Sequence, residues 1–219
     1  QDPPGNGGLL LSDETYGDFE LRLEIRPDWG IDSGLFVRST PRGKAFQVTV
    51  DYCRGGYVGQ IYGEGLGGWN TRTFGLSGTG DGSGGLVAID AAPRRLPPGA
   101  TLAHGVTPKD WLRAWKLNAW NELRVRVTGQ PPRITTWING VKIVDVDTAA
   151  YRHPRFDRAL VERVSEAMAP LAGLAGGLLL LLHGGLLHGV VRLRLWLLGG
   201  LLRSLSLLLL LLHLLLLLL

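Results

Sequence analysis

A single cysteine, Cys53, stands among 219 residues. One thiol excludes an internal disulfide and any cysteine-based zinc centre. With no histidine or lysine placed beside it by the sequence, it reads as an inert thiol near a strand end. An excess of one charge is also missing. The net charge is +4, and Arg22, Arg26, Arg38, Arg42 and Arg54 are scattered rather than clustered. That pattern describes a solvated surface and argues against a nucleic-acid partner. His104, His153, His188 and His213 have no ligand spacing, so no histidine-based metal site is expected. The opening QDPPGNGG has neither the basic region nor the apolar run of a signal peptide. A mature chain whose leader had been removed would look the same.

Glycine is plentiful, at 32 residues, with 12 prolines, which suits a sheet protein with many turns. The length allows one domain with a substantial core. Residues 18–51 organise the chain as DFELRLEIRP, DSGLFVR and AFQVTVD. Each alternates apolar and polar residues with a period of two, as half-buried strands do. Phe19, Leu21, Leu23 and Ile25 face one way, with Glu20, Arg22, Glu24 and Arg26 on the other side. Leu35 and Val37 oppose Phe36 and Arg38, while Phe46, Val48 and Val50 oppose Gln47, Thr49 and Asp51. If the three strands are neighbours, Glu24, Arg38, Gln47 and Asp51 share one polar face.

Residues 57–62 form a fourth short strand. Residues 63–107 read as a long irregular segment containing GTGDGSGG and PRRLPPG, with one further strand at 86–89. GTGDGSGG has too few oxygen ligands for a calcium loop and no strand-then-helix context for a phosphate loop, so it reads as a flexible turn. Trp111 and Trp115 are spaced as neighbours on one helical turn; they suit a sugar-stacking platform or ordinary packing. Leu123, Val125 and Val127 alternate with Arg124 and Arg126 as another strand. ITTWINGVKIVDV is a hairpin around Asn139-Gly140, a pair that tolerates both central positions of a type I′ turn. Residues 154–168 predict a helix with Phe156, Leu160, Val161, Val164 and Met168 on its buried stripe.

The order DFELRLEIR, DSGLFVR, FQVTVD, YVGQIYG, AWNELRVRV and WINGVKIVD resembles the 3-keto-disaccharide hydrolase domain. That family shows a "DF-L-LEWR" strand, "NSG-F-R", "G-E-QI-D", "GALY", "GEWN" and an "NG" hairpin. The likeness runs from about Gly7 to Asp147. Asp32 stands where the family usually has Asn, Ile25 where it has Trp, and Ala45 or Phe46 where it has Glu. The resemblance implies an all-β, concanavalin-like jelly-roll sandwich with one short helix, in a secreted or periplasmic protein. It places Trp120-Asn121 at the "GEWN" position, where a core role is expected for the tryptophan. The expected organisation is a flexible lead-in at 1–8, a sandwich domain at 9–198 and a low-complexity Leu-rich tail at 199–219.

The Leu-rich end has two readings. Residues 205–219 fall short of the ~20 apolar residues a helical span needs, and only a genuine anchor there would make a membrane partner. Alternatively GGLLLLLHGG and VVRLRLWLL keep His183, Gly184, Arg192 and Arg194 in the rhythm of the family's two closing strands.

The resemblance also implies cleavage of a 3-keto-glycoside. A ketone at C3 acidifies the hydrogen on C2; its removal lets the C1 substituent leave, and water then adds back. Such chemistry needs a base near C2, a donor for the enolate oxygen and an acid for the leaving group. Glu24, Asp51 and His183 are the candidate acid–base residues, and Arg38, Gln47 and Tyr62 the candidate substrate contacts. No cofactor is expected, although a divalent cation on Glu24 and Asp51 is conceivable. The second reading is a non-catalytic, lectin-like carbohydrate-binding module, in which Glu24 and Arg38 simply form a cross-strand pair.

Overall fold

The computed structural model describes residues 8–82, 85–168 and 177–182. Its strands are β1 (Gly8–Thr15), β2 (Phe19–Ile25), β3 (Gly34–Ser39), β4 (Ala45–Val50), β5 (Val58–Glu64), β6 (Phe74–Gly80), β7 (Leu86–Pro93), β8 (His104–Gly105), β9 (Asn121–Thr128), β10 (Arg133–Ile138), β11 (Val141–Asp147) and β12 (Gly177–Leu182). Two helices join them, α1 (Pro108–Ala114) and α2 (Arg158–Met168). One sheet has the order β1-β12-β3-β4-β5 and the other β2-β9-β10-β11-β8, with β6-β7 as a separate pair. The pairings are antiparallel, and the architecture is the expected jelly-roll β-sandwich.

The period-two patterns explain the core. Leu35, Val37, Phe46 and Val48 from the first sheet meet Leu21, Leu23, Leu123, Val125, Ile134 and Ile138 from the second in one buried cluster. Each such side chain contributes about 1.5–3 kcal/mol by leaving water. The sheets approach closely at Gly59, where a Cβ would lie 2.9 Å from Ile138 Cδ1, and Thr136 donates a hydrogen bond to the Gly59 carbonyl. The Asn139-Gly140 hairpin forms as expected, with φ of 48° and 83°.

The expected polar face does not form, because β2 is not a neighbour of β3 and β4. It crosses to the second sheet and pairs with β9, Leu21 opposite Val125 and Leu23 opposite Leu123. Alternation shows which side of a strand is buried; it does not show which sheet the strand joins.

Residues 63–107 are also more regular than their composition suggests. β6 and β7 make a hairpin closed by reciprocal Asp81 and Gly85 hydrogen bonds. On β6 only the first three residues are packed: Phe74 and Leu76 are buried, whereas Ser77, Thr79 and Gly80 are exposed, and near the tip it is Leu86 of β7 that reaches the core. A strand that leaves the core after three residues shows little alternation.

The fold has two described helices where one was expected. At α1, Thr107 Oγ1 accepts the Asp110 N–H (3.2 Å) and donates to the Asp110 carboxylate (2.7 Å), a reciprocal N-terminal cap followed by Pro108. α2 starts at Arg158 rather than 154, because Asp157 Oδ1 accepts the Leu160 N–H and caps it there. β12 lies between β1 and β3 as the first closing strand should, with Leu181 opposite Gly34. The second closing strand, His183 and the 199–219 tail lie outside the described residues. Among those described, no helix is long and apolar enough to cross a membrane.

Candidate functional site

An aromatic chain fixes the loops at one end of the first sheet. Trp29 packs edge-on against Tyr52 at 5.2 Å, Tyr52 against Trp115 at 5.2 Å, Trp115 stacks on Trp111 at 5.1 Å, and Trp111 meets Phe74 at 5.1 Å. The polar ring atoms of α1 and its C-cap are satisfied: Trp111 Nε1 donates to the Val58 carbonyl (3.1 Å) and Trp115 Nε1 to the Tyr52 hydroxyl (3.2 Å). Trp111 and Trp115 are therefore core residues. They tie the β2–β3, β4–β5 and β5–β6 connections together, and those three connections carry Asp32, Asp51 with Tyr57, and Arg72.

Asp51 follows directly on β4. Its carboxyl shares a hydrogen bond with the exposed Asp32, while its Oδ1 is buried without a hydrogen-bond partner. Burial, then that hydrogen bond and the Asp32 charge, push the Asp51 carboxyl up to about 8 from an ordinary 3.8; Arg72 opposes this and is outweighed. Ser33 holds Asp32 in register, since its carbonyl accepts the Val50 N–H (2.8 Å) and Gln47 Nε2 (3.3 Å).

Arg72 is anchored by donating to the carbonyls of Gly55 and, at 3.1 Å, Phe74, and its guanidinium lies 5.2 Å from the Tyr57 ring. Burial keeps the Tyr57 phenol protonated well above its usual range, with the Asp51 charge reinforcing this. The same burial and the two carboxylates push the Cys53 thiol up, in keeping with an inert cysteine.

Of the six residues expected at the site, three belong to one sheet: Gln47 on β4 is directly opposite Tyr62 on β5, and Asp51 follows the end of β4. Glu24 is elsewhere. Leu23 and Ile25 point into the core, so Glu24 lies on the outer face of the second sheet, opposite Glu122. Glu24 and Asp51 cannot share a substrate or a cation. Arg38 is also displaced. Its φ of 51° breaks the alternation of β3, and its guanidinium reaches Asp18 Oδ1 (3.3 Å) and the Gly129 carbonyl (3.4 Å) at the sandwich end. The Glu24–Arg38 pair of the binding-module reading does not form either; Arg38 pairs with Asp18. His183 lies outside the described residues. Trp120 is half-buried with the Arg26 guanidinium 5.7 Å from its ring, a partly exposed setting rather than the expected core one.

Asp32, Tyr57 and Arg72 complete the cluster and were not among the expected site residues. Asp32 carried a signal, as the acid in the DSG motif. Tyr57 and Arg72 carried none, because they reach the site from connecting segments. Among the described residues, no group of three or more His, Cys, Asp and Glu side chains is arranged to hold a metal ion.

No curated protein matches the chain. A crystal structure described as a "Putative glycosyl hydrolase from Parabacteroides distasonis ATCC 8503" is similar at 18% identity, covering 88% of this chain and 85% of that one, with a TM-score of 0.42. The family described as the 3-keto-alpha-glucoside-1,2-lyase-like domain matches residues 1–180. The chain belongs to the 3-keto-alpha-glucoside-1,2-lyase-like domain family.

Proposed function

We propose that this domain cleaves 3-keto-glycosides by elimination across C1 and C2 followed by hydration, with Asp51 as the base. The observation that carries this reading is the half-buried Asp51 carboxyl held against Asp32, beside a fixed guanidinium and a protonated phenol. Ionised Asp51 takes the C2 hydrogen, and the C–H electron pair moves into the ring ketone to give an enolate. A carboxylate of raised pKa is the stronger base and suits a weakly acidic carbon. Arg72 and the Tyr57 hydroxyl supply positive charge and a donor for the enolate oxygen. The enolate then re-forms the C3 ketone and a C1–C2 double bond, and expels the C1 oxygen. Asp51, now carrying the C2 proton, passes it through its hydrogen bond to the exposed Asp32, which delivers it as the acid to the departing C1 oxygen. Water adds across the double bond, its hydroxyl to C1 and a proton to C2, so the net change is hydrolysis.

Tyr62 is the substrate contact from β5. Gln47 is a positioning residue, since its amide nitrogen is committed to the Ser33 carbonyl. The secreted or periplasmic setting implied by the family resemblance is consistent with a saccharide substrate. A binding-only module draws no support from Trp111 and Trp115, which are stacked in the core. Incubation with a 3-keto-glucoside and with its unoxidised parent tests the proposal. Aglycone release from the ketone alone is expected; inertness toward both, with measurable sugar binding, overturns it.

A further inference from the structure

A concavity lies where the chain passes from β11 to α2. Its volume is about 310 Å³, and the described residues lining it are Tyr151, Arg152, His153, Phe156 and Arg158. That volume is at the lower end of small-molecule sites, about 300–1,000 Å³. None of the Asp51 cluster lines it, so the inference does not depend on the sugar-cleavage reading.

The walls are held by bonds of their own. Tyr151 donates its hydroxyl to the Asn70 carbonyl (2.7 Å), and the Arg152 carbonyl accepts the Thr101 N–H (3.1 Å). Arg158 donates to the carbonyls of Ala149 and, at 3.3 Å, Tyr151. His153 Nδ1 accepts the Arg155 backbone N–H at 3.0 Å. That bond puts the proton of the neutral imidazole on Nε2. Burial, and then the Arg155 charge, lower the His153 pKa and favour this neutral form.

The chemistry of the lining is one-sided. It offers an imidazole N–H, the Arg152 guanidinium and the N–H groups of Arg158 beyond its two carbonyl bonds. Its hydroxyl already donates elsewhere, and its described residues include no carboxylate. Asp157, beside Phe156 in the chain, is committed to the Leu160 N–H at 2.9 Å. Donors and positive charge line it with no carboxylate among the described lining residues, and the half-buried Phe156 ring, backed by the buried Tyr151, forms the apolar wall.

We infer that this concavity binds a small acidic sugar of about monosaccharide size. Its carboxylate sits among Arg152, His153 and Arg158, and its ring lies against the half-buried Phe156.

The test is NMR titration of the full chain, with the His153 ring signals assigned by His153→Gln, against sodium glucuronate, glucose and sodium sulfate at fixed ionic strength. Glucuronate is expected to raise the His153 pKa, because a bound anion favours imidazolium, whereas glucose leaves it unchanged. Arg152 is exposed and held here through its backbone, so Arg152→Ala should fold normally and weaken glucuronate binding about tenfold or more. Arg152→Lys should restore part of that loss. The inference is overturned if glucuronate leaves His153 unmoved, if glucose shifts it equally, or if Arg152→Ala binds as well as the parent. Sulfate binding as tightly as glucuronate would also overturn it, by showing that the sugar ring contributes nothing.

Discussion

The carboxyl groups of Asp32 and Asp51, brought from separate loops, share a hydrogen bond, and that contact helps hold Asp51 near a pKa of about 8. Removing the Asp32 charge and hydrogen bond removes two of the causes that raise it. The rate on a 3-keto-glucoside should rise with pH through about 8 in the parent protein. In Asp32→Asn the maximal rate should fall with loss of the acid, and the remaining rate should show its rising limb at lower pH, as a pH–rate profile of both proteins would show. An unmoved limb would separate Asp32 from the titration of the base.

The same shift makes a stability prediction. The folded Asp51 pKa lies above the unfolded value near 3.8, so between about pH 4 and 8 the folded state keeps a proton that the unfolded state has lost. Its contribution to stability is undiminished below the unfolded pKa and falls as pH rises through the folded one. Asp51→Asn has no such titration. Thermal melts should show the parent losing stability relative to the variant from pH 5 to pH 9, with the two tracking each other below pH 4.

Arg38 is 5% exposed and Asp18 62% exposed, so their ion pair is asymmetric. Asp18→Ala strips the buried guanidinium of its counterion and removes the acceptor of the Gly129 N–H. Urea denaturation should show a loss of about 1–2 kcal/mol, discounted for the exposure of Asp18. Arg38→Met removes the buried charge itself and should cost less. Turnover should persist in both variants.

Glu24→Gln should leave activity within about twofold, because the residue faces Glu122 on the other sheet. Relieving that like-charge pair changes stability by a few tenths of a kcal/mol in the favourable direction. Gly34→Ala should do the opposite. Its Cβ would lie 2.5 Å from Gln47 Nε2 and 2.9 Å from the Val48 carbonyl oxygen, which is backbone and has little room to yield. A cost of about 1–3 kcal/mol is expected, with activity falling as Gln47 leaves the Ser33 carbonyl.

The strands were legible wherever one face is buried along their length, as in β2 and β9, and the Asn139-Gly140 turn was legible because its φ values demand those residues. β6 was not, since only Phe74 and Leu76 reach the core. The place of Asp51 at the end of β4 was readable from its position after a clean strand. Site membership was misread for Glu24 because period two does not distinguish sheets, and for Arg38 because a left-handed residue interrupts the alternation. Tyr57 and Arg72 join the site through aromatic packing of distant loops, which no local pattern encodes.

The central claim is that Asp51 removes the C2 hydrogen. The direct measurement is turnover of a 3-keto-glucoside in D2O, with deuterium at C2 of the released sugar followed by NMR. The parent protein should place solvent deuterium at C2 as it releases aglycone, and folded Asp51→Asn should do so at least about a hundredfold more slowly. Aglycone release with the original hydrogen retained at C2, or unchanged exchange in Asp51→Asn, would contradict the account.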